Sequence, residues 1–160
     1  MLYVISDTHF FHFNIIRYCG RPFSGTDEMN QEMISRWNAV VNKDDNVWHL
    51  GDFCLGKQQN IPEIKNQLNG NITLIKGNHD RGVPKMNSFG FETYLEPKII
   101  THNGFSFCLS HYPMFSKRLA NIHLFGHVHD KTPDNTPSWA FNVSVEMSNY
   151  TPRPIEYYTI

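Results

Sequence analysis

Ile72-Thr73-Leu74-Ile75-Lys76-Gly77-Asn78-His79-Asp80 is the stretch on which the reading of this chain turns. A short apolar run bounded by turn formers reads as a buried strand, and this one ends directly in Gly-Asn-His-Asp. The design recurs four times. Asp7-Thr8-His9 follows Leu2–Ser6, Gly51-Asp52 follows Asn46–Leu50, His111 follows Phe105–Ser110, and Gly126-His127-Val128-His129 follows Ile122–Phe125. Each polar motif therefore falls at the carboxyl end of a strand, where open α/β sheets bind ligands.

The residue types make chemical sense as a set. Asp, His and Asn offer oxygen and imidazole nitrogen, a mixture that suits Mn, Fe, Zn, Ni or Co, whereas an all-oxygen set would suit Mg or Ca. Two metals a few ångströms apart need a ligand that can be shared, and a carboxylate has two oxygens to share. Asp52, alone on its turn, is the natural bridge. Two divalent ions facing two carboxylates keep a surplus of positive charge, which is what lowering the pKa of a bound water and holding an ester require.

In these motifs the chain resembles the calcineurin-like metallophosphoesterase superfamily, whose pattern is D-x-H, G-D, G-N-H-[DE], H, G-H-x-H. The match runs from Asp7 to His129 and is complete at the ligand positions. The resemblance implies one metal held by Asp7, His9, Asp52 and His129, and a second held by Asp52, Asn78, His111 and His127. It implies a catalytic role for His79, which would contact the substrate phosphate and help the leaving group depart, with Asp80 orienting it. It also implies a four-layer αββα sandwich of two mixed β-sheets flanked by helices. Protein phosphatases of the superfamily extend the second motif to G-D-x-x-D-R-G, but here Phe53-Cys54-Leu55-Gly56 follows, which argues against phosphoprotein substrates. The opening Asp7-Thr8-His9-Phe10-Phe11-His12-Phe13-Asn14-Ile15-Ile16 is similar to small bacterial and phage members with a D-T-H-x-x-H-x-N-I-I start.

Length and composition fit one α/β domain spanning residues 1–160, with enough apolar residues to bury a core. Lys+Arg 14 against Asp+Glu 15 gives no basic footprint of a nucleic-acid binder. No targeting segment is expected ahead of the first strand, and no apolar stretch is long enough to span a membrane. Cys19, Cys54 and Cys108 are odd in number and lack paired spacing, so the expected compartment is the reducing cytoplasm.

The longest helix is expected over residues 26–41, with Thr26 as its cap, Asp27 and Glu28 at its positive end, and Met29, Met33, Trp37, Val40 and Val41 as its apolar stripe. A shorter helix carries Ile61, Ile64 and Leu68. Lys98–Thr101 and Phe105–Ser110 read as a hairpin turning at Asn103-Gly104, which makes the second half of the chain the more antiparallel one. Further strands are expected near Ile122–Phe125, Ala140–Val145 and Ile155–Ile160, and residues 130–138 read as a surface loop.

Around the motifs, His12 and Asn14 are candidates for contact with substrate or with the ligands. Arg17 and Arg21 could grip a phosphate as bidentate forks, or serve as surface charges or structural ion pairs. Tyr112 could line the pocket or simply pack. Phe10, Phe11 and Phe13 could stack a base, though aromatics beside a strand end are more often core. His49 and His123 read as hydrogen-bonded structural groups and His102 as a solvated one. The expected function is hydrolysis of a small phosphate ester, a phosphodiester or a (cyclic) nucleotide, by attack of a metal-bridging hydroxide, with two divalent transition metals and manganese the first choice. The alternatives are a phosphomonoesterase, a nuclease, which would want a basic track, and a non-catalytic scaffold. Scaffold members of the superfamily lose the His of G-N-H, which this chain keeps.

Overall fold

Successive side chains of a strand point to opposite faces. In β1 (Leu2–Ile5) that alternation sends Tyr3 and Ile5 into one buried cluster and Val4 into another. A computed structural model describes residues 1–95, 97–116 and 118–159, and the strand pairings build two sheets. The first has the order β4-β3-β2-β1-β9, from β2 (Asn46–His49), β3 (Asn71–Ile75), β4 (Glu92–Tyr94) and β9 (Arg153–Pro154). Its first four strands are parallel, and β9 pairs antiparallel with β1. The second has the order β5-β6-β7-β8, from β5 (Lys98–His102), β6 (Phe105–Ser110), β7 (Ile122–Phe125) and β8 (Ala140–Asn142). Val4, Leu50 and Ile75 of the first sheet's region meet Phe107, Leu109 and Leu124 of the second in one cluster, so the sheets face each other. This is an α/β fold of two mixed sheets with flanking helices.

The other cluster lies under the helices. α1 (Phe13–Tyr18), α2 (Thr26–Val40), α3 (Asn60–Lys65) and α4 (Val83–Ser88) all send buried side chains into it, among them Ile15, Met33, Trp37, Ile64 and Met86. Trp37 is the largest fully buried side chain, and its indole N–H donates to Asn69 O at 2.9 Å, so no polar group is stranded by its burial. Burying a side chain of this class contributes roughly 1.5–3 kcal/mol. On the outer face of the second sheet, irregular chain takes the place of a helix: Phe115 packs on Phe125 and Trp139, and His123 lies 4.7 Å from Trp139 between ring centroids.

Several expectations need correction. Thr26 is the first helical residue of α2, not its cap; Gly25 precedes it, and Glu28 accepts from both the backbone N–H and the hydroxyl of Ser24 instead. The second half is not mainly antiparallel. Only β5–β6 forms a hairpin, with Asn103 and Gly104 both at positive φ in the turn (47° and 81°), whereas β6–β7 and β7–β8 are parallel. The long connections 111–121 and 126–139 provide the crossovers that parallel pairing needs. Of the expected strand Ala140–Val145, β8 covers Ala140–Asn142, and Ser144 adds an isolated bridge to Ser6. The C-terminal run is a 3-10 turn over Ile155–Tyr158, because Pro152 and Pro154 lack N–H donors and confine β9 to two residues. Ile160, in that expected strand, lies outside the described residues. His102, expected to be solvated, has its Nε2 within hydrogen-bond distance of Glu156 Oε1, at 2.6 Å. None of the described helices is long and apolar enough to cross a membrane.

Candidate metal centre

All five motifs converge because the two sheets present the carboxyl ends of their strands to one another. Beyond β1 and β2 the chains continue side by side: Asp7 N–H donates to Gly51 O, His9 N–H to Asp52 O and Phe10 N–H to Phe53 O, each at 3.0 Å. A bridge between Ser6 and Ser144 ties the end of β1 to the chain after β8. Gly77 and Gly126 mark where the motif loops press together. A Cβ at Gly77 would collide with Asp52, and one at Gly126 with the side chains of Ser6 and Asp7.

Two groups of lone-pair donors result. Ligand atoms of Asp7, His9 and His129 lie within 4.8 Å of one another, as do those of Asp52, His111 and His127. A single oxygen, Asp52 Oδ2, is 3.4 Å from His9 Nε2 and 3.5 Å from His111 Nε2. Asn78 Oδ1 is 2.9 Å from His111 Nε2. His111 Nδ1 faces Leu50 O at 2.8 Å and must carry a proton there, which leaves Nε2 as the ring's electron-pair donor in the neutral form. Asp7 Oδ1 and His9 Nε2 are buried without a hydrogen-bond partner. Buried polar atoms are normally satisfied, so two orphaned donors side by side fit a site shaped for cations. The mixed oxygen and imidazole set fits divalent transition metals.

The backbone carries the same signature. Asp7, His9, Asp52, His127 and His129 all have positive φ, between 49° and 70°. Such non-glycine conformations cost of order 1–3 kcal/mol each and gather at functional sites. Asp and His tolerate this region better than most residues, which is compatible with their use here.

Electrostatics separates the members. Burial opposes ionisation of Asp52, but the hydrogen bond and charge of His111, the nearby His9 and the N–H of His79 hold its carboxyl well below the usual range. Burial raises Asp7, lowers His127, and pushes His9 down to about 2. Burial also lowers His111 and His129, yet Asp52 and Asp7 lift the first to about 9, and Cys19, Glu146 and Asp7 lift the second to about 10.

Over the centre opens a cleft of about 610 Å³. His9, His12, His79, His127 and His129 line its polar side, while Ile15, Tyr18, Leu55 and Val128 give it an apolar wall. His79 is exposed in it, its ring centroid 5.4 Å from that of His9 and 6.3 Å from that of His12. Asp80 is placed differently from the expectation that it orients His79. Its buried carboxylate accepts the backbone N–H groups of Asp52, Phe53 and Gly77 at 2.8–2.9 Å, tying the two loops together. Arg21, a candidate phosphate fork, is buried: its guanidinium donates to Asp7 O, Thr8 O and Glu146. Asn14 and Arg17 are exposed on α1 and do not line the cleft. Tyr112 stacks edge-on against His127, with centroids 4.5 Å apart. Phe10 is core, and Phe13 points to solvent.

A family model for the calcineurin-like phosphoesterase superfamily domain matches residues 1–143, which includes every motif of the centre. The chain belongs to this superfamily. Among relatives of this chain, the uncharacterized protein MJ1445 of Methanocaldococcus jannaschii is 39% identical, with 94% of this chain and 85% of that protein aligned. A crystal structure of AQ665, a protein of unknown function from Aquifex aeolicus, superposes with a TM-score of 0.75 at 28% identity, covering 95% of this chain and 94% of the other. A structure described as a novel archaeal phosphodiesterase gives a TM-score of 0.53 at 18% identity over 89% of this chain and 81% of that one, a likeness of fold.

Several residues around the centre carry no signal in the sequence. Ser144 donates to Asp7 Oδ2 at 3.0 Å, and Glu146 lies 3.2 Å from His129 Nδ1. Both follow β8 in the chain, but they lie within or just after the expected strand Ala140–Val145 and carry no recognisable pattern. Cys19, Leu55 and Lys131 line the cleft from segments that carry no motif.

Proposed function

We propose that this superfamily member is a two-metal hydrolase that cleaves a small phosphodiester, a nucleotide or cyclic nucleotide among the candidates. The observation that carries the reading is the single Asp52 oxygen lying almost equally far from His9 Nε2 and His111 Nε2, at 3.4 and 3.5 Å. A carboxylate so placed can serve two cations at once. Asp7, His9, Asp52 and His129 would hold one, and Asp52, Asn78, His111 and His127 the other, with Mn²⁺ the first choice and Fe, Zn, Ni or Co also compatible with the donors. When bound, the ions supply Lewis acidity, lowering the pKa of a water and neutralising charge on the phosphoryl group.

The chain's own groups do the rest. Nδ1 of His111 is committed to Leu50 O and the His79 N–H to Asp52 Oδ1 at 2.8 Å, so the ligands are oriented before substrate arrives. His79, exposed in the cleft, is placed to donate a proton to the departing oxygen or to bond a phosphoryl oxygen. His12 stands beside it. Two divalent ions against Asp7 and Asp52 leave four positive charges facing two negative ones, and Lys131 and Asp130 at the cleft wall cancel. With Arg21 buried beneath the loops, no guanidinium fork among the described lining residues awaits a dianion. A hydroxide nucleophile would cancel one of the two surplus charges, and the single charge left favours a singly charged diester over a monoester dianion, with no basic track for an extended nucleic acid among the described lining residues. Cys19, Cys54 and Cys108, odd in number and without paired spacing, suit the reducing cytoplasm.

The test is a panel of esters assayed with Mn²⁺ after removal of the purification metal. Bis(p-nitrophenyl) phosphate should be cleaved with higher kcat/KM than p-nitrophenyl phosphate, cyclic nucleotides should be included as diesters, and phosphopeptides should be poor substrates. Preference for the monoester would replace this reading with a phosphomonoesterase. Inertness of the metal-loaded protein towards every ester would leave a metal-binding scaffold.

A further inference from the structure

The residue behind His129 is as specifically placed as the motif residues, and nothing in the five motifs points to it. Glu146 comes from the 3-10 turn that follows β8 (Val145–Ser148). Its side chain is 5% exposed, and Oε1 accepts from Arg21 Nε at 2.9 Å and Nη2 at 2.7 Å, with His129 Nδ1 3.2 Å away. Arg21 in turn donates from Nη1 to Thr8 O at 2.8 Å and from Nη2 to Asp7 O at 2.7 Å. One buried ion pair thus joins the backbone of the first motif to the imidazole of the last, across 125 residues of sequence.

We infer that Glu146, held in place by Arg21, is a positioning residue that fixes His129 with its proton on Nδ1 and its electron pair on Nε2, directed to the metal position shared with Asp7, His9 and Asp52. An imidazole has two nitrogens, and a carboxylate on one settles which of them is free to donate to a cation. The alternative, that Glu146 is only the counter-ion of Arg21, fits the contacts less well. Two charges withdrawn from water are poor stabilisers of a fold. Glu146 Oε2 is also buried without a hydrogen-bond partner, a desolvation cost that a purely structural carboxylate would relieve by turning to a donor. The geometry that tolerates this cost is the one that keeps Oε1 on both Arg21 and His129. Cys19, grouped with His129 and Glu146 within 4.8 Å, stands at the cleft side of the same imidazole.

The inference rests on the two-metal reading, so the experiment separates them. Mn²⁺ titration of metal-free wild type by calorimetry establishes whether two ions bind, and His129→Ala and His127→Ala identify which binding event belongs to which position. Glu146→Gln removes the charge and keeps the shape. It should weaken the event lost in His129→Ala by roughly 10–100-fold, the usual effect of removing a group that orients a metal-ligating histidine, and leave the event lost in His127→Ala within about threefold. Equal weakening of both events in a folded variant, or no change in either, overturns the positioning role while leaving the two-metal reading intact. A wild type that binds no metal removes both. Should Glu146→Gln fail to fold, ¹⁵N-histidine spectra of ¹¹³Cd-loaded wild type give the answer without a variant. Cadmium coupling to Nε2 of His129 with a proton on Nδ1 is expected, and cadmium on Nδ1 would overturn the inference.

Discussion

Asp80 offers the cleanest energetic test of how the centre is assembled. Its carboxylate is 7% exposed and is the shared acceptor for three backbone donors, Asp52 N–H and Gly77 N–H on Oδ2 and Phe53 N–H on Oδ1. Burial raises its pKa, and the amide hydrogen bonds from Gly77, Phe53 and Asp52 oppose the rise. Three donors aimed at two oxygens describe the anion. Leaving a buried donor unsatisfied costs about 1–3 kcal/mol, so Asp80→Ala, which strands all three, should cost at least about 3 kcal/mol, a large share of the roughly 5–15 kcal/mol that holds a domain together. Asp80→Asn is the better probe. Its amide oxygen can keep the Asp52 and Gly77 donors, but its NH₂ then faces Phe53 N–H, which loses its acceptor and meets a second donor. About 2–4 kcal/mol should be lost, from one unsatisfied donor, one donor–donor contact and the lost charge assistance. Urea denaturation in EDTA measures this as a lower midpoint at unchanged m-value. An Asp80→Asn protein within about 1 kcal/mol of wild type would refute the view that this carboxylate ties the two ligand-bearing loops.

The other predictions concern chemistry and protons. His79→Ala should keep the metal content and the fold but lower kcat on unactivated esters by roughly 10²–10⁴-fold, with a smaller loss for nitrophenyl esters, whose leaving group departs without a proton; wild-type-like rates of the metal-loaded variant on both kinds of ester would remove His79 from catalysis. In the metal-free protein His111 is lifted to about 9 and His129 to about 10, so each holds a proton at pH 7 that a metal must displace. Metal affinity should therefore rise with pH from 6, less steeply once His111 has lost its proton near 9, and level off only above about 10. Calorimetry at pH 7 in buffers of different ionisation enthalpy should register release of about two protons as both sites fill. A pH-independent affinity without proton release would contradict this assignment.

The strand ends and the motif cluster were legible because both are local signals. Ile72–Ile75 or Ile122–Phe125 must be buried wherever they sit, and the polar residues that follow cannot be. The paths between strands were not local. Parallel pairing of β6, β7 and β8 depends on how residues 111–121 and 126–139 cross the sheet, and no periodicity records that. Short elements such as α1 and α4, six residues each, are stabilised by packing of one or two side chains, Ile15 and Met86, more than by pattern. At the site, the residues facing the candidate cations were readable from their types. For Arg21 the sequence leaves a phosphate fork and a structural ion pair both open, because it gives the charge but not the depth; the buried pair with Glu146 is the second of these. Glu146 was missed because its partners, His129 and Arg21, meet it only in the folded chain.

The central claim is that one carboxylate, Asp52, unites two metal positions. Metal analysis of gently purified wild type should approach two transition-metal equivalents per chain, the content of a two-metal site. In Asp52→Asn, which replaces the shared oxygen pair by one oxygen and one amide, occupancy at both positions should fall together. Retention of both equivalents by a folded Asp52→Asn protein would contradict the account, because the 3.4 and 3.5 Å approaches of His9 and His111 to one oxygen would then have no shared cation chemistry to explain them.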